Sequence, residues 1–161
     1  MTDDVKTAVI SECGRYRYRL SRQWGDDRSV LFIMLNPSVA NHEIDDPTIR
    51  RCIGFAKAWG FGGLRVGNLF AYRATDPAAL KAVSDPCGPE NSWHLLLMAK
   101  GSDTTVCAWG RRGEWRSRDR AVVELLCRAG IRPMMLAKPD KHYPMHPLYL
   151  PATTTCREMP L

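Results

Sequence analysis

The feature that most constrains the fold is a run of seven residues, 29–35 (SVLFIML), that carries no charge and shows no alternation. Such a run is typical of a central strand covered by helices on both faces. A half-exposed strand would instead alternate apolar and polar residues. Asn36-Pro37-Ser38 follows directly and ends the strand, because Asn-Pro favours a turn.

Further strands and helices alternate along the chain. Asp46 can cap a helix, and Pro47 suits a first helical turn because the missing N–H costs nothing there. Asp76-Pro77 repeats this start. Strands are predicted over 16–20, 29–35, 64–70, 104–109 and 134–137, and helices from 47, from 77, and over 89–100 and 121–129. Alternation of this kind predicts an α/β fold with three αβα layers and a mostly parallel central sheet of about four to five strands. Residues 1–161 are expected to form a single domain.

The strand over 16–20 alternates and is expected near a sheet edge. Tyr16, Tyr18 and Leu20 would share one face, with Arg17 and Arg19 on the other. A second arginine cluster includes Arg111 and Arg112, and the formal net charge is +6. These clusters are either solvated faces or phosphate contacts, and the sequence leaves both open.

Composition and patterning argue against several other classes of protein. The six cysteines form no C-x-x-C pair, so buried thiols are favoured over a zinc or iron–sulfur centre. No apolar run is long enough to cross a bilayer, and the acidic start is unlike a signal peptide, so we expect a cytoplasmic protein without membrane contact. Neither a metal nor a cofactor is expected. His142 and His146 are separated by Pro144, which disfavours a helical metal pair.

The candidate site is expected where the parallel strands end, because open α/β sheets bind ligands beyond their carboxyl edge. Asn36 offers both a donor and an acceptor. Trp109-Gly110 ends one strand, and Trp109 either stacks on a base or closes the core. His146-Pro147 follows the last strand, where His146 either donates a hydrogen bond to an anion or is structural. Asn68 lies near the end of another strand.

Several short motifs resemble the bacterial family known as domain of unknown function 1643. They are Leu35-Asn36-Pro37-Ser38, Asp46-Pro47-Thr48-Ile49-Arg50-Arg51, Asn68-Leu69-Phe70-Ala71, Arg73-Ala74-Thr75, Asp76-Pro77, Gly88-Pro89-Glu90-Asn91, Ala108-Trp109-Gly110 and His146-Pro147-Leu148-Tyr149. The resemblance covers nearly the whole chain. It identifies a family without supplying a function.

A weaker resemblance carries functional content. Met34-Leu35-Asn36-Pro37-Ser38 is similar to the Gly-Ile-Asn-Pro-Gly loop of the mismatch-specific uracil/thymine-DNA glycosylases, and residues 67–75 resemble their strand ending in Arg-Pro-Thr. Residues 106–110 and His146-Pro147 match two later pieces in the same order. Ser38 replaces a glycine, Ala74 a proline, and Leu148 the serine that usually follows His-Pro. This resemblance implies a uracil-DNA-glycosylase-like fold.

The resemblance also implies an N-glycosylase acting on a modified or mismatched base. Asn36 would hold the attacking water, His146 would stabilise the departing base or a phosphate, and Trp109 or Phe32 would stack on the base. The expected substrate contacts are Pro37, Ser38, Asp46, Asn68, Arg73, Asn91, Trp109, Gly110 and Tyr149. The expected nucleic-acid contacts are Arg17, Arg19, Arg111, Arg112 and Leu148, where Leu148 with Tyr149 could act as a wedge.

Two other functions stay open. One is a non-catalytic module that binds a nucleotide or nucleic acid in the same cleft. The other is a magnesium-dependent hydrolase or transferase that uses the polar loop 42–46, with His42, Glu43, Asp45 and Asp46. The sequence leaves open the base, the choice among DNA, RNA and free nucleosides, and the oligomeric state.

Overall fold

The computed structural model describes residues 4–161. Within that range, seven strands form one sheet in the order β1-β2-β4-β3-β5-β6-β7. Their bounds are β1 Val5–Ile10, β2 Arg17–Gln23, β3 Ser29–Met34, β4 Gly63–Asn68, β5 Thr104–Cys107, β6 Met134–Met135 and β7 Arg157–Glu158. The fold is therefore α/β, as predicted, but the sheet is wider than the four to five strands expected.

The sheet is mixed rather than mostly parallel. Three pairings, β3 with β4, β3 with β5 and β5 with β6, are parallel. Three others, β1 with β2, β2 with β4 and β6 with β7, are antiparallel. The predicted parallel strands form the middle of the sheet, and antiparallel strands extend it on both sides. Strands β1 and β7 were not predicted.

In the part of the chain that the structure describes, three α-helices and three 3₁₀ helices accompany the strands. The α-helices are α1 Pro47–Ala58, α2 Asn91–Lys100 and α3 Arg118–Arg128, and the 3₁₀ helices are Pro77–Ala82, Arg111–Ser117 and Pro147–Tyr149. Helix α1 begins as predicted, since the Asp46 side chain accepts a hydrogen bond from the Ile49 N–H at 2.9 Å. Asp76 caps in the same way, but it starts a 3₁₀ helix instead of an α-helix.

The core divides into two clusters, one on each face of the sheet. Helix α1 contributes Ile49 and Phe55 to the cluster that contains Phe32. Helices α2 and α3 contribute Leu95 and Leu126 to the opposite cluster. All six residues of β3 are buried, which confirms the expected central strand. Phe32 is fully buried and stacks on Trp59, so it cannot stack on a nucleobase.

Strand β2 lies next to the edge strand β1 and so near an edge of the sheet, as expected, but its side chains face differently from the prediction. Its register with β1 shifts, so that Val9 pairs with Arg19 and Ile10 with Arg17, which leaves Tyr18 as an additional residue. Leu20 consequently joins the α1 cluster, whereas Tyr18 stacks on His94 of α2. The expected common face of Tyr18 and Leu20 is wrong.

The order of the strands creates a crevice at the middle of the sheet. From β3 the chain passes through α1 to β4 on one side, and it later returns to β5 on the other side of β3. The chain therefore diverges at the carboxyl end of β3. In open α/β sheets such a switch point is the usual place for a ligand.

The structure also bears on the predictions about the cysteines and about membrane-spanning segments. All six cysteines are free, and Cys52 and Cys107 are buried as expected, but Cys127 is exposed on α3. None of the helices within residues 4–161 combines the length and the apolar character needed to cross a bilayer.

Candidate functional site

A cavity of about 610 Å³ lies between the carboxyl ends of β3, β4 and β5 and the start of α1. Its walls bring together residues that are far apart in the chain. Those predicted from the sequence are Arg17, Asn36, Pro37, Ser38, Asp46, Asn68, Trp109, Gly110, Arg111, Arg112, His146, Leu148 and Tyr149. The strand-end loops and the residues after β6 therefore meet at one place.

The Asn36 amide has a defined orientation. Its Nδ2 donates hydrogen bonds to the carbonyl oxygens of Ala74 at 2.8 Å and Pro37 at 3.1 Å. The Pro37 carbonyl also accepts from the Ala74 N–H at 3.0 Å, which ties the loop after β3 to the loop after β4. Because both amide hydrogens are used, Asn36 has only its Oδ1 acceptor left to offer a ligand.

His146 presents the complementary group, a donor. Its Nδ1 accepts a hydrogen bond from the Leu148 N–H at 3.2 Å, so the neutral ring carries its proton on Nε2. Burial lowers the pKa of His146 below its ordinary value, and the negative charge of Asp46 opposes that shift. The neutral imidazole with an Nε2–H donor is therefore favoured near pH 7.

Asn68 is a buried amide without partners. It ends β4 on the cavity wall, and its side chain is 1% exposed. Neither its Oδ1 nor its Nδ2 has a hydrogen-bond partner within residues 4–161. A buried polar group left unpaired costs about 1–3 kcal/mol. A ligand with a donor beside an acceptor would satisfy both atoms at once.

Asp46 links the site to α1. One of its oxygens caps the helix through the Ile49 N–H, and the residue also lines the cavity. The positive end of the α1 dipole points toward the same space. Asp46 thus combines the capping role with a carboxylate on the cavity wall.

Trp109 closes the core instead of offering a stacking surface. It is 3% exposed and packs within the cluster on the α2 and α3 face. Its indole lies so close to Gly113 that a Cβ there would come within 2.3 Å of the ring. Of the two alternatives left open for Trp109, its burial therefore favours closing the core over stacking on a base. Gly110 follows with φ of 76°, a left-handed conformation that favours glycine.

The aromatic group that is accessible is Tyr149. It is 75% exposed, and the neighbouring Leu148 is 48% exposed, on the Pro147–Tyr149 3₁₀ helix. Tyr149 also contacts the His146 ring edge-to-face at 5.8 Å between centroids. Both side chains belong to the cavity wall and extend into solvent, so they are placed to contact a ligand at its mouth.

The cavity carries three arginines of different character. Arg111 and Arg112 are exposed, and Arg111 lies over the Tyr143 ring at 4.6 Å. Arg17 is 2% exposed and donates to the Ala40 carbonyl at 2.8 Å. Of the two alternatives left open for Arg17, the solvated strand face is wrong, because the loop before α1 covers the side chain.

Three predicted contact residues lie outside the cavity wall. Arg19 donates to His94 Nδ1 at 2.7 Å, toward α2. Arg73 reaches the Gly14 carbonyl at 3.4 Å. Asn91 is fully buried, and its Nδ2 donates to the carbonyls of Asn68 at 2.8 Å and Leu69 at 3.1 Å. Asn91 therefore positions the end of β4 and has no exposed surface for a ligand.

Sequence reasoning missed two hydroxyl residues that line the cavity, Thr48 and Thr75. Each stands next to a motif that was recognised, Asp46-Pro47 for Thr48 and Asp76-Pro77 for Thr75. Their closeness to the helix starts was a usable signal, since residues around a cap at a strand-end loop face the same edge of the sheet.

The acidic side chains Asp45 and Glu43 of the loop 42–46 pair with other side chains of the protein, whereas the magnesium hypothesis needs them to converge on a metal ion. Asp45 binds Arg22 Nε at 2.7 Å and Lys6 Nζ at 3.4 Å, while His42 and Glu43 pair with each other in an exposed position. Within residues 4–161, no three His, Cys, Asp or Glu side chains lie together in a way that could hold a metal ion.

Comparison with known proteins supports the first resemblance. The model of the family described as protein of unknown function, DUF1643, matches residues 17–148, which includes all of the cavity wall except Tyr149. No curated protein and no solved structure matches the chain. The likeness to mismatch-specific glycosylases therefore stays a hypothesis. Since the family model covers most of the 161 residues, the chain belongs to the DUF1643 family.

Proposed function

We propose that the protein binds a nucleotide in the cavity and hydrolyses the N-glycosidic bond to its base. The observation that carries this proposal is the meeting of Asn36 and His146 in one cavity, with an acceptor on one and a donor on the other. In this hydrolysis the water oxygen bonds to C1′, and the base leaves with the electron pair of the C1′–N bond. One proton of the water ends on the released base.

Asn36 serves the attacking water. Its Oδ1 accepts a hydrogen bond from the water and so orients a lone pair of the water oxygen toward C1′. The two hydrogen bonds that Nδ2 donates fix the Asn36 amide, so its Oδ1 stays in place during the reaction. Replacement by aspartate would set a carboxylate oxygen against the carbonyls of Pro37 and Ala74, so even this isosteric change should disturb the loop.

His146 serves the departing base. Negative charge develops on the base as the bond breaks, and a preorganised donor stabilises such charge strongly in a site that excludes water. The Nε2–H of the neutral imidazole supplies that donor. The lowered pKa of His146 keeps this form populated through the physiological range.

Asn68 serves recognition of the base. Every nucleobase presents a donor next to an acceptor on one edge, and an amide with both atoms free can pair with such an edge in two hydrogen bonds. The partner-free Oδ1 and Nδ2 of Asn68 favour a ligand of this kind over one that offers acceptors alone. Tyr149 at the mouth is available for stacking.

A base-release assay tests the proposal. Substrates are nucleotides and single- and double-stranded DNA that contain uracil, mismatched thymine or oxidised and alkylated bases. Asn36→Ala should lower the release rate about 100- to 1000-fold while binding changes little, as for loss of one preorganised polar group. Asn41→Ala is the matched control, because the Asn41 side chain accepts its hydrogen bonds from the N–H groups of Glu43 and Ile44 in its own loop. Absence of release by the wild type from every substrate would contradict the proposal.

The same variants separate hydrolysis from binding alone. A non-catalytic module would show saturable binding without release, and Asn36→Ser or Asn36→Gln would change its affinity little. His146→Asn with His42→Asn as control gives an independent comparison, since His42 is exposed and pairs with Glu43. Loss of release in His146→Asn and retention in His42→Asn is the expected result.

A further inference from the structure

One buried cation in the cavity wall has too few partners for its charge. Arg17 donates a single side-chain hydrogen bond within residues 4–161, from Nη1 to the Ala40 carbonyl. Its Nε is buried without a partner. None of the ion pairs in the described part of the chain includes Arg17.

This arrangement is unfavourable for a guanidinium unless a ligand completes it. Burial lowers the pKa of Arg17 to about 10, which still leaves the group charged at neutral pH. Asp46 attracts it at longer range, but one oxygen of that carboxylate is occupied by the Ile49 N–H. A buried charge normally carries a hydrogen-bonded counter-ion. Here both Arg17 and the orphaned amide of Asn68 line the same cavity.

We infer that Arg17 forms an interior subsite for the terminal phosphate of a nucleotide. This inference rests on the proposed function, because the phosphate is that of the nucleotide whose base the cavity binds. A guanidinium matches the geometry of phosphate oxygens and can bond two of them. The positive end of α1, marked by Thr48 and Ile49 on the cavity wall, favours an anion in the same space.

The depth of Arg17 selects a phosphate monoester over a phosphodiester. An oxyanion must enter the cavity to reach a side chain that is only 2% exposed. A phosphodiester within a strand continues as chain on both sides and stays at the surface, where the exposed Arg111 and Arg112 stand. The substrate class is therefore a mononucleotide or the phosphorylated end of a strand.

Calorimetric titration tests this subsite directly. The ligands are a nucleoside, its 5′- and 3′-monophosphates, inorganic phosphate, and an oligonucleotide with internal diesters only. One monophosphate should bind the wild type about 10- to 100-fold more tightly than the nucleoside, which corresponds to a hydrogen-bonded charge. Arg17→Met should remove that advantage and leave nucleoside affinity unchanged, and Arg17→Lys should retain part of it.

Arg73→Met is the matched control. It removes a cation whose charge is felt by Arg17 but which is not part of the cavity wall. In Arg73→Met the monophosphate should bind more tightly than the nucleoside by the same factor as in the wild type. Melting curves establish that each variant is folded. Equal affinity of the wild type for the nucleoside and both monophosphates, or an advantage that persists in Arg17→Met, would overturn the inference.

The outcome is separable from that of the proposed function. Base release that proceeds equally from phosphorylated and phosphate-free substrates, in wild type and Arg17→Met alike, refutes the subsite and leaves the hydrolysis proposal in place. A phosphate advantage that depends on Arg17, without any base release, refutes hydrolysis and leaves the subsite in place.

Discussion

Two arginines on β2 reach the same loop before α1, and they do so with very different numbers of partners. Arg22 bonds Asp45 through Nε at 2.7 Å and donates to the carbonyls of Thr7, Ser21, Asn41 and Ile44. Arg17, buried to a similar degree, donates a side-chain hydrogen bond only to the Ala40 carbonyl among residues 4–161.

The difference separates a structural charge from one available for a ligand. A guanidinium has five N–H donors, and three of the hydrogen bonds of Arg22 fasten 41–45 to the sheet. Arg17 lies at the end of β2 that meets the cavity, where a ligand can supply what the protein does not. The burial of an arginine therefore does not show whether its role is structural or ligand-binding. The number of its hydrogen-bond partners does show this.

The largest expected loss of stability comes from replacing Arg22. Arg22→Met removes the hydrogen bonds that one buried guanidinium donates to the Asp45 carboxylate and to four carbonyls, so the free energy of unfolding should fall by about 3–5 kcal/mol. Urea denaturation followed by circular dichroism measures it. A loss below about 1 kcal/mol would show that the number of partners does not distinguish the two arginines.

The next prediction concerns Asp45, the carboxylate that pairs with Arg22 and Lys6. Burial raises the pKa of Asp45, but the hydrogen bond and charge of Arg22, with Lys6, outweigh it and hold the pKa below its ordinary value. The resulting stabilisation is complete above the unfolded-state pKa of about 4 and is lost as the pH falls through the lower, folded-state pKa. Asp45→Asn should cost about 1.5–3 kcal/mol at pH 7 and flatten the acid side of the stability curve.

Arg17→Met is expected to change the ligand-free stability least among these charged sites. It removes one hydrogen bond but also a buried charge without a counter-ion, so the two effects offset to within about 1 kcal/mol. Chemical denaturation alongside Arg22→Met gives the comparison directly. A loss as large as that of Arg22→Met would mark Arg17 as structural.

A smaller effect concerns the titration of His146. Since burial lowers its pKa in the folded state, stability should be level above about pH 6.5 and decline as the pH falls below it, because protonation then favours the unfolded chain. His146→Asn should remove that decline, and His142→Asn should not. Thermal melts at half-unit pH steps supply the measurement, and parallel curves for wild type and His146→Asn would contradict it.

The sequence was sufficient to predict the middle of the sheet and the position of the cavity. Residues 29–35 show a buried central strand by composition alone, and Asp46-Pro47 marks the start of α1. Strands that end in polar residues then identify the carboxyl edge without knowledge of any contact. Such features are local, and local signals are visible in a single chain.

What the sequence did not show depends on tertiary contacts. Strand β1 is mostly exposed and lies at the edge of the sheet, and β7 has two residues, so neither has a strong pattern. Burial of Arg17 follows from the loop that closes over it, which no periodicity reports. A tryptophan at position 109 gives the same sequence signal whether it stacks on a ligand or closes a core. Its packing against Gly113, seen only in the structure, distinguishes the two roles.

The additional residue at Tyr18 sets the phase of β2. Arg17 and Arg22 are five positions apart, and in an uninterrupted strand an odd separation sends two side chains to opposite faces. The irregularity at Tyr18 instead lets both meet the segment that precedes α1. If β2 kept its length but paired without this irregularity, the Arg17 guanidinium would point toward α2, and the cavity would lose its interior cation although no residue of its wall had been replaced.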